Sequence, residues 1–403
     1  ESTAMDTGGQ GAWYVLRECP VRNEMILGVV DEALDLNVQI WHNGKWDNLK
    51  ELTSDIDVVS QRAFDIAYEE VSGDALVVFR HSADTSVPYY NIWDGTQWVY
   101  ATPQSTGIDV GDTIRWIRLE AKPGSDEIVL VVQDSGNDIT AAVWDGSSWG
   151  NSIELETDTE TYNAQCFDVM YERSSKRALI VWSKATEDNL FYAYWNGSSW
   201  SAVENFQVHP NVNSQTNRWI KMAAKPESDE ILLAVEEVTA TTTSPDIYAV
   251  VWDGSSWSNG TELSTDSDEY TSRPFDVAYE QSSGKGIIVY AKATTVGTPY
   301  YITWITASGW GSEGTANSVG SAPIRWIELT SDPTSNDILM AVSDEESTAD
   351  INVQRWNGSS WDTLVEVETE SRSDYQAFDI VVSDTPNVYY LNGQLDSSVY
   401  DSG

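Results

Sequence analysis

Cysteine, histidine and basic side chains are all scarce in this chain of 403 residues, which holds two, three and 22 of them respectively. Cys19 and Cys166 fall at non-equivalent places, so no disulfide framework is expected and packing must supply the stability. His42, His81 and His209 share no spacing, which leaves neither a zinc site nor a histidine-based triad. With 64 acidic residues against the 22 basic ones, the formal charge is −42. Such a field repels nucleic acid and anionic membranes. No apolar run has the length needed to cross a bilayer, so no membrane insertion is expected within this chain. The acidic excess is spread through loops and reads as surface solvation, with Ca2+ left open as a ligand. The sequence begins at Glu1 without an initiator methionine, which suggests a processed or excised chain, and the composition suits an extracellular or cell-surface location.

Tryptophan, by contrast, is plentiful at 19 residues, and its placement is periodic. Seven times two tryptophans flank a short polar turn, at 41/46, 93/98, 144/149, 195/200, 252/257, 304/310 and 356/361. The first members are 52, 51, 51, 57, 52 and 52 residues apart, the period of a four-stranded propeller blade. Asn43-Gly44 suits a type I′ hairpin turn, because both residues tolerate positive φ. The later copies, Trp-Asp-Gly-Ser-Ser-Trp or Trp-Asn-Gly-Ser-Ser-Trp, suit type II′ with glycine first. Either turn sets the two indoles opposite each other on neighbouring strands. Between Trp304 and Trp310 one extra residue calls for a bulged turn there.

A second mark lies upstream of each hairpin and alternates between two types. Trp13, Trp116, Trp219 and Trp326 define A units; Phe64-Asp65, Phe167-Asp168, Phe275-Asp276 and Phe378-Asp379 define B units. The apolar runs Ile128–Val132, Ile231–Val235 and Ile287–Tyr290 do not alternate with polar residues, so those strands are covered on both faces, as in stacked blades. The chain therefore reads as all-β, a single β-propeller over 1–403. Its eight units begin near 13, 64, 116, 167, 219, 275, 326 and 378. Four AB pairs close a ring with unlike neighbours at every interface, and seven blades is the alternative. The last unit is about one strand short, which either the N-terminal segment completes or a longer chain would supply.

Chemistry is harder to find. Gly146-Ser147-Ser148-Trp149-Gly150 matches a hydrolase nucleophile pattern, but it belongs to a repeated hairpin and not to a strand-to-helix turn. The sialidase Asp-box and the quinoprotein repeat are both absent. An enzyme would need converging carboxylates of unequal pKa in a cleft. Sequons begin at Asn196, Asn259 and Asn357, two of them within hairpin turns, where turn geometry already explains Asn-Gly.

The candidate constellation combines Arg115-Trp116, Arg218-Trp219 and Arg325-Trp326 with Asp65, Asp168, Asp276 and Asp379. An indole face stacks on a pyranose ring while a guanidinium donates to hydroxyls, so the set suits sugars. The same residues suit an inter-blade lattice better still, with arginine on one blade reaching aspartate on the next across about 7 Å of strand. Ala12 breaks the pattern in unit one. The Tyr-Glu pairs 68/69, 171/172 and 279/280 form another repeated set, replaced by Val382-Ser383 in the last unit.

The Trp-[Asp/Asn]-Gly-Ser-Ser-Trp hairpins resemble those of extracellular bacterial and archaeal β-propeller repeat proteins and, more distantly, of tectonin and fucose-lectin propellers. The resemblance implies a propeller outside the cell and sugar sites between blades built from Arg, Glu and aromatic residues. The expected function is a secreted or cell-surface binding and adhesion module, without catalytic residues or a required cofactor, whose partner is a glycan or surface protein. The loop Thr239 to Pro245 is the first place to look for contact. A structural component of a surface layer or filament is the alternative, followed by a glycan-active enzyme.

Overall fold

The computed structural model describes the chain except residues 1–4, 6–7, 57–58, 162, 186, 213–216, 239–244, 268–270, 346–348, 363, 373, 383–387 and 393–403, and it describes only the backbone of 388–392. Eight antiparallel sheets, each built from strands consecutive in sequence, stand side by side around one axis. Seven of them are complete blades of at least four strands, the number carried as the alternative from sequence. Among the described residues the eighth unit contributes two strands, Phe378–Val382 and Val388–Asn392, and its first strand packs between the inner strands of blade 7 (Ile324–Ser331) and blade 1 (Gly11–Glu18). All described secondary structure is strand and turn.

Blade 3 shows how closely local pattern sets the elements. Its strands run Ile114–Ala121, Ile128–Asp134, Ile139–Trp144 and Trp149–Glu156, with the polar turn at Pro123-Gly124 between the first two. The second strand is buried throughout because blades cover both its faces. At Asn43 and Gly44 φ is positive at both residues (53° and 77°), as type I′ requires. In the Asp-Gly-Ser-Ser hairpins positive φ falls on glycine alone, 92° at Gly146 and 95° at Gly254, which fits type II′. Asp145 Oδ1 accepts the N–H groups of Ser147 and Ser148 at 2.9 and 2.8 Å, so the aspartate closes the turn. Ser147 therefore sits in a hairpin. Trp304 still faces Trp310, with the extra residue absorbed by a loop ending at Gly309, φ 82°.

The Tyr-Glu pairs lock successive blades. Tyr68, Tyr171 and Tyr279 donate to Glu24, Glu127 and Glu230 of the preceding blade at 3.1, 2.9 and 3.0 Å. Glu69, Glu172 and Glu280 in turn accept the indole N–H of Trp144, Trp252 and Trp356 of the following blade, at 2.5, 2.7 and 2.7 Å. At the seam, Met5 packs in one cluster with Trp41, Trp46, Ala377 and Val381. Whether more of the N-terminal segment completes the last blade falls on residues outside those described, as does most of the 239–245 loop. Cys19 and Cys166 are both buried and free.

Candidate functional site

The four A-unit tryptophans meet on the axis. Trp13 packs edge-to-face on Trp116 (5.5 Å between centroids, 81°), Trp116 on Trp219 (5.5 Å, 84°), Trp219 on Trp326 (5.3 Å, 83°), and Trp326 returns to Trp13 (5.6 Å, 81°). This closed pinwheel plugs the channel with four buried indoles. Each contact adds about 0.5–1.5 kcal/mol beyond burial, and together they leave no indole face open to stack on a sugar.

Beneath the plug the B-unit aspartates act as brackets. Asp65, Asp168, Asp276 and Asp379 accept the main-chain N–H of Leu119, Met222, Leu329 and Leu16 on the following A blade at 2.9, 2.9, 2.8 and 2.8 Å. Their cationic partners are not Arg115, Arg218 and Arg325. Leu119 lies four residues past Arg115, roughly 13 Å along a strand and out of its reach. Arg218 approaches Glu160 at 3.8 Å, Arg325 pairs with Glu345, and Arg115 lies near Arg80. The expected pairing across 7 Å is thus replaced by another. Arg118 Nε donates to Asp168 at 2.9 Å and its Nη1 to Asp65 at 3.5 Å; Arg17 bridges Asp379 (3.0 Å) and Asp65 (3.4 Å). Lys221 lies 3.7 Å from Asp276 and 3.6 Å from Glu328, and Arg273 reaches both at 3.4 and 2.5 Å. Sequence reasoning missed Arg17, Arg118 and Lys221 because they stand two or four residues after the ring tryptophans with a different residue in each unit, so no repeat announces them; Arg273 stands two residues before Phe275, where the other B units carry Arg62, Gln165 and Gln376.

The carboxylates respond unequally. Burial would raise Asp65, but Arg62, Arg17 and Arg118 outweigh it and hold the group below its ordinary value. Burial pushes Asp276 up to about 6, with Lys221 opposing and Glu328 reinforcing the rise. Burial would raise the half-buried Glu328, yet Lys221 and Arg273 bring it down to about 2. Below this layer the axis opens into a funnel of about 340 Å³ whose wall includes Arg17, Arg118, Arg173, Lys221, Glu120 and Glu328.

The rim offers a different surface. The second tryptophan of six hairpins, Trp98, Trp149, Trp200, Trp257, Trp310 and Trp361, is half-buried, whereas Trp46 at the seam is buried. Trp98, Trp200 and Trp310 donate to the carbonyls of Asn48, Asn151 and Asn259 on the preceding blade at 3.1, 2.7 and 2.8 Å. Those asparagines have φ of 54°, 49° and 57°, which turns their carbonyls outward to meet the indoles. Asn259, first residue of a sequon, is thereby part of blade docking. His42 pairs with Asp47, His81 stacks on Tyr89 and His209 on Tyr248, three separate places. Among the described residues no three His, Cys, Asp or Glu groups are arranged to hold a metal, and no helix is long and apolar enough to cross a membrane.

No protein-family model matches the chain, and no curated protein matches it by sequence. Solved structures do match in fold. The BP39L lectin from Burkholderia pseudomallei is 11% identical with a TM-score of 0.59, the match covering 89% of this chain and 100% of that one. The six-bladed lectin of Aleuria aurantia is 14% identical, TM-score 0.45, covering 80% and 100%. NanB sialidase from Streptococcus pneumoniae is 10% identical, TM-score 0.45, covering 86% and 67%. The fold class so defined is the all-β propeller.

Proposed function

We propose that this chain is a non-catalytic binding and adhesion module, displayed outside the cell, that holds a glycan or surface protein on its rim. The observation that carries the reading is the row of six half-buried indoles, each on a two- or three-residue hairpin. A rigid, half-buried tryptophan presents apolar area at little entropic cost, the quality that makes tryptophan dominate binding surfaces and stack on sugar rings. The rim is favoured over the axial Arg, Trp and Asp set, whose indoles are buried edge-to-face against one another. A lectin sharing this architecture over nearly the whole chain supports glycan as the partner class.

The test is a glycan array with the purified chain, with Ca2+ and with chelator, at moderate salt. Saturable binding that Trp200→Ala and Trp310→Ala weaken at least tenfold is expected, with each variant still folded. Binding lost instead through Arg218→Ala in a folded protein would return the site to the inner strands. Absence of saturable binding in both conditions would sink the glycan reading and favour a structural part of a surface layer or filament.

One observation favours an enzyme as the second reading: Asp276 and Glu328, with pKa values pushed apart, share Lys221 at the funnel. Asp276 is buried and already holds Leu329 N–H, so its free lone pairs face cations more than solvent. Release of sugar from the same array, abolished by Glu328→Gln, would favour that reading.

A further inference from the structure

Five of the 22 basic residues of this acidic chain line one cavity on the axis, and one of them makes no side-chain hydrogen bond among the described residues. Arg62 enters from blade 2, two residues before Phe64, and its carbonyl receives Ile117 N–H at 3.2 Å. Its side chain is 11% exposed, its Nε has no acceptor, and it makes no hydrogen bond among the described residues. The nearest carboxylate oxygen, Asp65 Oδ2, stands 4.0 Å away. That oxygen already receives Leu119 N–H and Arg118, while Oδ1 receives Ile66 N–H and Arg17. Arg118 has Asp168 besides, and Arg17 has Asp379. Three guanidiniums thus crowd one saturated carboxylate, and Arg62, the farthest at 4.0 Å, is the one left without a hydrogen bond to it.

The space beside it is a narrow cavity of about 30 Å³ under the pinwheel, walled by Trp13, Trp116 and Trp219 with Arg17, Arg62 and Arg118. A single water needs roughly 10–15 Å³ of such volume, so one monatomic anion fits. Indole rims carry the positive end of the ring quadrupole, and Trp219 Nε1 is buried without an acceptor. Lys221, Arg273, Glu328 and Asp379 close the opposite wall with their charges already matched.

We propose that this cavity binds a halide, chloride in ordinary solution, with Arg62 as its principal donor. The ion supplies the acceptor that Asp65 cannot and ties blades 1, 2 and 3 together at the axis. Because only the folded ring assembles the site, chloride well above its Kd multiplies the folding constant by about ten for every tenfold rise in concentration.

Ionic strength alone also stabilises a chain of charge −42, so the comparison is made at constant sodium, replacing gluconate by chloride and then by bromide. The expected results are a melting midpoint that climbs with halide in the parent chain and a flat response in Arg62→Met. Crystals grown in bromide are expected to show an anomalous peak within hydrogen-bonding distance of the Arg62 guanidinium. Equal midpoints in gluconate and chloride, or a cavity holding only water in bromide crystals, would overturn the proposal. Should Arg62→Met fail to fold, the anomalous peak in the parent chain decides alone.

Discussion

Asp65 and Asp276 occupy equivalent positions on opposite sides of the ring, and both hold the next blade by a main-chain N–H at 2.9 and 2.8 Å. Around Asp65 stand Arg17, Arg62 and Arg118; around Asp276 stand Lys221 and Arg273, but also Glu328. The residue two positions after the ring tryptophan accounts for most of the contrast, being Arg118 on one side and Glu328 on the other. Backbone docking is thus repeated around the ring while the charge set on top of it is not. A bracket conserved in geometry carries a carboxylate held ionised on one side and one pushed toward protonation on the other.

Replacing the two aspartates one at a time gives the largest expected separation. Asp65→Asn keeps an acceptor for Leu119 N–H but leaves three guanidiniums with too little negative charge, and stranding a buried charge costs about 3–5 kcal/mol. Asp276→Asn leaves Glu328 to serve Lys221 and Arg273, and about 1 kcal/mol is expected, the worth of one hydrogen bond. Denaturant unfolding at neutral pH measures both. Equal losses would mean that the surrounding charges do not set the difference.

Much of this molecule is legible in its chain, and the part that is not has a physical reason. Strand order, the hairpin at Trp144/Trp149 and the turn types at Asn43-Gly44 and Gly146 depend on residues within ten positions of one another, where period and turn chemistry act. That four tryptophans about 103 to 107 positions apart would touch depends on closure of the whole ring. Asp65, Asp168, Asp276 and Asp379 were visible as a repeat; Arg17, Arg118, Lys221 and Glu328 were not, since side chains that differ in each unit leave no periodic trace. The hairpin sequences speak of strand pairing, and the half-burial of their indoles at the rim emerges only once neighbouring blades are in place.

Glu328→Gln erases the asymmetry from the other side. It leaves Asp276 as the one carboxylate between Lys221 and Arg273, so the reinforcing repulsion goes and the Asp276 pKa falls. The lost charge-assisted contact to Arg273, 2.5 Å in the parent, costs about 2 kcal/mol. An unfolding energy unchanged by the substitution would show that Arg273 rests on Asp276 alone.

The smallest effect is the sharpest in sign. Asp276 titrates near 6 when folded and near 3.8 when unfolded, so its contribution to stability is full below 3.8 and is lost as pH rises through 6. Going from pH 7 to pH 5 it therefore stabilises the ring by roughly 1 kcal/mol, against the trend set by carboxylates such as Asp65, whose lowered pKa makes their contribution fall away only in stronger acid. The difference between parent and Asp276→Asn isolates this group from every other titration. Melting midpoints of the two proteins, followed from pH 7.5 to 4.5, are expected to diverge in favour of the parent as the solution becomes more acidic. In Glu328→Gln the divergence should shift to lower pH, because the carboxylate that held Asp276 protonated is gone. A parent that loses ground to Asp276→Asn on acidification would show that Lys221 and Arg273 hold Asp276 ionised, and would make the two sides of the ring electrostatically alike.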